Sequence, residues 1–358
     1  MHKTILTIIL LLHTYFIISQ NRIERSNALL DDLVTDGYVI GASGSYSVDG
    51  VVTWEAATGY ADKSTRKKFT LDTQVRTASI AKTMTAVAVM QLVEQGLVDI
   101  NLPIDTYIPE FIQKSETKIT TKHLLSHTSG MAGYKNKNEI ENQINYSSLL
   151  EAYNLFKNRK LNTKPGTTYA YSSYGYVVLG LLIEHVSGLS YESYMQHYIW
   201  DKADMKHTGI EKPELICLQS TTLYNRTPEG TLKKAVPNNL SNRIPGGGLY
   251  STVNDLIKFG NALINNHFIQ QETFKRMIDY HHLNNANSRY GLGFRLYGSF
   301  LNKADIVGHS GSQTGATTQL FVIPRLKTVI AIVANTSGSA KEVATATREL
   351  IDTSQLKD

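Results

Sequence analysis

The sequence predicts an α+β fold: one antiparallel sheet built from both ends of the chain, with flanking helices and an inserted, mostly helical region. Two strand patterns, 40–48 and 51–58, flank Asp49-Gly50, a dipeptide that favours a two-residue hairpin turn. Three more strand patterns follow near the C-terminus, at 291–297, 316–323 and 328–334. Helical patterns lie between the two groups, so strands from both ends are expected to share one sheet.

The first 20 residues have the features of a separate targeting segment. A positive start at Lys3 precedes the apolar run 4–18, which has the length of a secretory signal and is too short for a comfortable membrane span. We expect residues 1–20 to be a signal peptide and the protein to be exported, as a periplasmic or secreted protein. The alternative is an uncleaved segment that anchors the protein to the membrane.

Residues 21–358 are expected to form one domain, with a sheet part at about 21–78 and 245–358 and a helical part at about 79–244. The chain has 42% hydrophobic and 19% charged residues, an ordinary globular composition. Its formal net charge of +5 is spread without long runs of one sign, which argues against a nucleic-acid partner. Cys217 is the only cysteine, so we expect no internal disulfide and a small hydrophobic role for this thiol.

The longest helical pattern runs from Ser79 to Gly96 and is apolar on nearly all sides. It therefore predicts a buried central helix that ends at a glycine. Further helices are expected at 23–34, 120–127, 177–186, 255–263 and 340–351, with Ser251 as the cap of the fourth. Segment 131–146 is rich in Lys and Asn with little apolar pattern, and we expect an exposed loop or lid there.

Ser79-Ile80-Ala81-Lys82 places a hydroxyl and an amine one helical turn apart, on one face of the helix. The same spacing begins at Ser64, Ser115 and Ser354, but those matches lie in polar sequence typical of a solvated surface. Only Ser79 begins a buried helix, which would hold both side chains rigidly. Since a serine hydroxyl becomes a good nucleophile when a neighbouring base takes its proton, the pair is a candidate nucleophile and base.

Two further motifs accompany this pair, Tyr171-Ser172-Ser173 and His309-Ser310-Gly311. Ser-x-x-Lys, Tyr-x-Asn and Lys-Thr-Gly, in this order, identify the serine β-lactamase and penicillin-binding-protein family. The chain resembles the class C-like branch of that family over about 27–334. It looks most like the mitochondrial serine β-lactamase-like subgroup and its bacterial relatives. The resemblance implies the β-lactamase/transpeptidase-like fold.

The resemblance also implies catalytic roles for Ser79, Lys82 and Tyr171. Ser79 would form an acyl-enzyme after Lys82, its pKa lowered by burial and by the helix dipole, takes the hydroxyl proton. Tyr171 would pass a proton to the leaving group and later activate water. The backbone N–H groups of Ser79 and Ser312 would form the oxyanion hole. The strand carrying 309–311 would lie at a sheet edge and bind an extended peptide-like substrate.

The resemblance implies five substrate-binding residues: Ser173, His309, Ser310, Gly311 and Ser312. Two of them depart from the family pattern. Ser173 replaces the usual Asn and removes an amide that both donates and accepts towards a substrate. His309 replaces Lys, so a titrating charge stands beside the substrate carboxylate, and binding should weaken above about pH 6.5. Both departures argue against efficient β-lactam hydrolysis.

Other patterns favour structural roles. His123 and His127 have the i, i+4 spacing of a metal pair, but no Glu follows His123 as in a zinc-protease helix. His281-His282 predicts an exposed loop. The glycines 246–248 lack the Lys-Ser/Thr of a phosphate loop and are expected to allow close backbone packing near the site. We expect no metal and no cofactor.

Together these features predict a serine hydrolase that forms an acyl-enzyme on Ser79 and acts on a peptide, amide or ester. D-alanyl cell-wall peptides are one candidate substrate. An alternative is a catalytically weak binding or scaffold protein, since the mitochondrial relatives are associated with filament assembly. A second alternative is a β-lactamase. The expected partner is a peptide-like or ester small molecule, and an oligomer is compatible with the sequence.

Overall fold

The computed structural model describes residues 21–212, 220–279, 289–300 and 304–355. The expected signal peptide at 1–20, together with Cys217 and His281-His282, lies outside the described residues. Within these ranges, no helix combines the length and the apolar character needed to cross a membrane.

Short and long strands together form three sheets. The strands are β1 (Gly41–Val48), β2 (Val51–Asp62), β3 (Lys67–Lys68), β4 (Val75–Arg76), β5 (Gly209–Ile210), β6 (Tyr224–Arg226), β7 (Leu232–Lys234), β8 (Leu249–Ser251), β9 (Arg295–Phe300), β10 (Ala304–Gln313), β11 (Ala316–Ile323), β12 (Thr328–Ala334) and β13 (Thr336–Ser337). The main sheet is antiparallel and has the order β3-β2-β1-β12-β11-β10-β9. Strands from both ends meet where β1 pairs with β12, as the sequence predicts.

Helices lie on both faces of this sheet, and further helices pack on one another beside it. They are α1 (described over 21–35), α2 (Ala81–Glu94), α3 (Thr121–Leu125), α4 (Lys137–Ile140), α5 (Leu149–Asn154), α6 (Ser173–Ser187), α7 (Tyr191–Met195), α8 (Ile244–Gly247), α9 (Val253–Ile264), α10 (Gln271–Ile278) and α11 (Ala340–Gln355). The predicted α+β class, with an antiparallel sheet and flanking helices, is therefore confirmed. The expected division into sheet and helical parts stays a prediction.

The central strand β12 shows how the sheet is buried on both sides. Val329, Ala331 and Val333 belong to the large core on the side of α2 and α9. Ile330 and Ile332 alternate with them and belong to a second core, shared with the terminal helices α1 and α11. Because successive side chains of a strand point to opposite faces, one strand contributes to both cores.

The strongest local signals are found where the sequence predicts them. Asp49 and Gly50 both have positive φ, 51° and 81°, as a two-residue hairpin with matching twist requires. Every residue of α2 from Ala81 to Leu92 is buried, which confirms the apolar central helix. The predicted cap Ser251 is wrong by one residue, since the Thr252 side chain accepts the N–H of residue 255.

Segment 131–146 is mostly exposed and irregular, as the sequence predicts, although it includes one short helix and hydrogen bonds to distant residues. It contains α4, and the Glu139 carboxylate pairs with Arg159 at 2.6 Å while accepting a hydrogen bond from Tyr174. Arg243, which is buried, donates to the backbone carbonyl of Glu139. The polar residues here bond to partners distant in sequence, which no local pattern reveals.

Candidate active site

The nucleophile candidate Ser79 lies in a single 3₁₀ turn immediately before α2. Ala78 has φ of 48°, a left-handed conformation that costs energy for a residue with a side chain. Strand β10 packs directly on this turn, because a Cβ added at Gly311 would lie 2.4 Å from the Thr77 carbonyl oxygen and 2.9 Å from the Ala78 Cβ. Only glycine fits at this point of β10, which explains why the third motif ends in glycine.

Lys82 is fully buried and its amine has three close partners. Its Nζ lies 3.1 Å from the Ser79 hydroxyl oxygen and 3.2 Å from the Ser173 hydroxyl oxygen. It also donates to the carbonyl oxygen of Gly246. A neutral amine has two N–H donors and one lone pair, so donation to Gly246 and Ser173 leaves the lone pair for the Ser79 proton.

The electrostatic surroundings favour this neutral amine. Burial holds the pKa of Lys82 well below its usual value of 10.5, and the nearby guanidinium groups of Arg243 and Arg295 lower it further. An ammonium ion here would lose its hydration without gaining a carboxylate partner among the described residues. Both effects favour the neutral form of the amine, which is the form that can accept a proton.

Tyr171 is the second side chain that bonds to Ser79. Its hydroxyl donates to the Ser79 oxygen at 2.9 Å. Burial raises the pKa of the Tyr171 phenol, although the hydrogen bond to Ser79 opposes part of this effect. The phenol therefore holds its proton at neutral pH, and Lys82 is the group available as a base.

Ser173 begins α6 and is 8% exposed. Its hydroxyl accepts from Lys82, so in this structure it contacts the base. A serine can thus replace the amide oxygen of the usual Asn as an acceptor for the amine, although its single O–H is a shorter donor than the amide NH₂ with its two N–H groups.

Strand β10 carries the third motif beside the nucleophile, but β10 is not the outermost strand of the sheet. Strand β9 pairs with Ala304–Gly308, and this pairing stops before 309–313. On its other side β10 pairs with β11 through Gln313. The sequence predicts an edge strand, and this expectation is corrected: β10 lies inside the sheet, but its second half, 309–313, extends beyond its pairing with β9. Ser312, in that half, is exposed, which suits a substrate contact.

His309 does not present a charge to the site, and this part of the sequence-based expectation is wrong. The side chain is 0% exposed, and its Nδ1 lies 2.6 Å from the Ser310 carbonyl oxygen. Its Nε2 lies 3.0 Å from the Tyr290 hydroxyl. Burial holds the pKa of His309 well below 6.5, and the guanidinium of Arg295 lowers it further. His309 is thus a neutral, buried residue of β10.

Arg295 is the cation that sequence reasoning missed. Its guanidinium lies 5.6 Å from the centre of the Tyr171 ring, and its buried Nε has no hydrogen-bond partner among the described residues. The pairing of Gly308 with Arg295 in β10 and β9 brings it here. Nothing in the local sequence marks this arginine, because its place depends on the register of two strands.

The described part of the chain contains no group of three or more His, Cys, Asp or Glu residues arranged to hold a metal ion. The site as built consists of hydroxyl, amine, phenol and guanidinium groups around Ser79. Such a set supports proton transfer and nucleophilic attack by the chain's own residues.

Known proteins share both the sequence and the fold. A family model described as Beta-lactamase matches residues 27–355. The Homo sapiens protein "Serine beta-lactamase-like protein LACTB, mitochondrial" is 27% identical, over 84% of this chain and 72% of that protein. The octameric penicillin-binding protein homologue from Pyrococcus abyssi has a TM-score of 0.79 and 27% identity, over 92% of this chain and 77% of that one. The D-amino acid amidase from Ochrobactrum anthropi SV3 shares the fold, with a TM-score of 0.80 and 24% identity over 94% and 99% of the two chains.

Proposed function

The chain belongs to the beta-lactamase family of serine hydrolases, and we propose that it cleaves amide, peptide or ester bonds through an acyl-enzyme on Ser79. The observation that carries this proposal is the buried Lys82 amine, held 3.1 Å from the Ser79 hydroxyl. No polar group needs to move for proton transfer between these two atoms.

The first chemical step is acylation. The Ser79 proton moves to the lone pair of Lys82 while the oxygen attacks the substrate carbonyl carbon. Backbone N–H groups of Ser79 and Ser312 are the proposed donors to the oxyanion. The leaving group takes the phenolic proton of Tyr171 as its bond to the carbonyl carbon breaks, and the proton on Lys82 then restores the phenol.

The second step is hydrolysis of the ester on Ser79. A water molecule attacks the acyl carbon and gives its proton to Lys82, which is neutral again after the first step. The proton returns to the Ser79 oxygen as the acyl group leaves, so the enzyme regains its starting state. Tyr171, 2.9 Å from that oxygen in the resting site, is proposed to donate a hydrogen bond to it as the acyl group leaves.

We propose that Arg295, not His309, binds an anionic group of the substrate. A guanidinium keeps its charge over the whole physiological pH range and offers several donors to a carboxylate. The Nε of Arg295 has no partner among the described residues, and the ring of Tyr171 lies beside it. A substrate with a carboxylate near the cleaved bond, such as a D-alanyl peptide, fits this placement.

Two rival functions predict different behaviour. A scaffold protein would need neither the buried amine nor the contact between Tyr171 and Ser79, and retaining both favours an enzyme. A β-lactamase would hydrolyse nitrocefin, which we do not expect because Ser173 offers no amide. Export stays a prediction from residues 1–20.

The test compares wild type with Ser79→Ala on a panel of chromogenic esters, D-alanyl peptides and nitrocefin. Ser64→Ala is the matched control: it also belongs to a Ser-x-x-Lys sequence, but its hydroxyl bonds to Asp62 in an exposed turn. We expect hydrolysis by wild type and Ser64→Ala and none by Ser79→Ala. Equal turnover by Ser79→Ala and wild type would refute the proposal.

A further inference from the structure

His127 holds the chain on both sides of Tyr171. Its backbone carbonyl accepts the N–H of Ala170 at 2.8 Å. Its imidazole Nδ1 accepts the N–H of Ser172 at 3.2 Å. The residues immediately before and after the phenol are thus both bonded to one histidine. The His127 ring also packs on the Tyr171 ring, with 4.2 Å between ring centres.

These contacts fix the tautomer of the His127 ring. A backbone N–H can only donate, so Nδ1 carries the lone pair and the single proton of the neutral ring lies on Nε2. His127 is 1% exposed, and its Nε2 has no hydrogen-bond partner among the described residues. The rings of Tyr176 and Tyr290 surround it, at 5.2 and 4.7 Å between centres.

A charged His127 is incompatible with this arrangement. Protonation would occupy Nδ1, remove the bond to Ser172 and place a cation close to the Lys82 amine. In agreement with this geometry, burial lowers the pKa of His127 well below 6.5. The histidine therefore serves as a neutral acceptor and a packing surface.

The backbone of His127 is also unusual. Its φ of 57° lies in the left-handed region, which asparagine adopts more readily than other residues with side chains. Asparagine places its Oδ1 acceptor one bond beyond Cγ, as histidine places Nδ1. Leucine has nearly the same shape as asparagine but no acceptor, so the two substitutions differ in the bond to Ser172 and in how readily each adopts this φ.

We propose that His127 is a positioning residue that holds the Tyr171 phenol against Ser79, through two backbone hydrogen bonds and a ring contact. The proposal rests on the proposed function for its effect on rate, but the placement of the phenol can be measured without any turnover. Among the described residues, the hydrogen bond of the His127 side chain is to Ser172 and not to Ser79, so its effect on rate passes through Tyr171.

Kinetics provide the first arm of the test, with p-nitrophenyl acetate as the probe. We expect His127→Leu to lower kcat by on the order of 10²-fold with little change in KM, because a misplaced proton donor slows chemistry without weakening binding. His127→Asn should restore most of kcat. His123→Leu is the matched control: His123 accepts the Thr120 N–H in a helix cap and should affect stability only.

NMR provides the second arm. With tyrosine labelled at Cζ, the Tyr171 signal, assigned by its loss in Tyr171→Phe, should move in His127→Leu and stay in place in His127→Asn. With labelled histidine in the wild type, His127 should show a proton on Nε2 and none on Nδ1 at pH 7, which needs no variant to fold.

The outcomes separate this inference from the proposed function. An unmoved Tyr171 signal and unchanged kcat in folded His127→Leu, or a proton on Nδ1, would overturn the positioning role. A wild type that hydrolyses no ester, but whose Tyr171 signal moves in His127→Leu and not in His127→Asn, would refute the proposed function and support the positioning of Tyr171.

Discussion

Replacement of Lys82 by methionine tests the neutral amine through stability as well as activity. Methionine is unbranched and of similar length, so Lys82→Met keeps the packing of a fully buried side chain. Removal of the base should lower the rate of ester hydrolysis by about 10²–10⁴-fold. The rate alone does not report the protonation state of Lys82, whereas the pH dependence of unfolding does.

The sign of the effect follows from proton binding. Burial lowers the pKa of Lys82 in the folded protein, while the unfolded chain keeps the usual value near 10.5. Between these two values the unfolded state binds one more proton than the folded state. The contribution of Lys82 to the free energy of unfolding is therefore fully present above the pKa of the unfolded state. It is lost as the pH falls towards the pKa of the folded state.

The magnitude of this pH dependence follows from the difference of one bound proton between the unfolded and the folded state. Wild type should gain about 1.4 kcal/mol in its free energy of unfolding per pH unit relative to Lys82→Met, or about 2.7 kcal/mol from pH 7 to pH 9. Buried tyrosines with raised pKa values, Tyr171 and Tyr290 among them, are common to both proteins and cancel in the difference. Urea unfolding of both proteins at several pH values measures it. Parallel stability curves over this range would show that Lys82 is charged in the folded protein and refute the reasoning.

Three other substitutions probe the remaining parts of the site. Tyr171→Phe removes the hydroxyl that donates to Ser79, and kcat for an ester should fall by about 10²-fold while the melting temperature changes little; an unchanged kcat would exclude the phenol from the chemistry. Gly311→Ala should lower the free energy of unfolding, measured with urea, by about 1–3 kcal/mol, because the added Cβ would lie 2.2 Å from the Thr318 hydroxyl oxygen. Gly175→Ala is the control and should be better tolerated, because its Cβ would lie 3.5 Å from the nearest atom. Arg295→Gln should raise KM for a carboxylate-bearing substrate more than KM for its neutral amide. The wild-type KM for the carboxylate-bearing substrate should stay constant from pH 5 to 8. Equal effects of the substitution on both substrates would show that Arg295 does not bind the carboxylate.

Local chemistry made much of the fold predictable from the sequence. The hairpin at Asp49-Gly50 needs positive φ at both residues, and these two residue types adopt it readily. The helix after Ser79 is apolar on nearly all sides, and such a helix is stable when it is buried in the core. The strand patterns at 316–323 and 328–334 likewise gave the bounds of β11 and β12.

The charges of the site depend on contacts between distant segments and could not be predicted in this way. His309 stands in the motif position of a lysine, but its neutrality comes from burial beside Tyr290, which no spacing reveals. Arg295 reaches the site because β9 pairs with β10 in one particular register. The role of His127 was equally hidden, since its partners, Ala170 and Ser172, are more than 40 residues away in the sequence.

The proposed nucleophile can be labelled covalently. Incubation of the purified protein with a fluorophosphonate, followed by intact mass and tandem mass spectrometry, should show one adduct per chain on the peptide that contains Ser79. Ser79→Ala should show no adduct and Ser64→Ala should label like wild type. An unlabelled wild type, or an adduct on any residue other than Ser79, would contradict a nucleophile activated by Lys82.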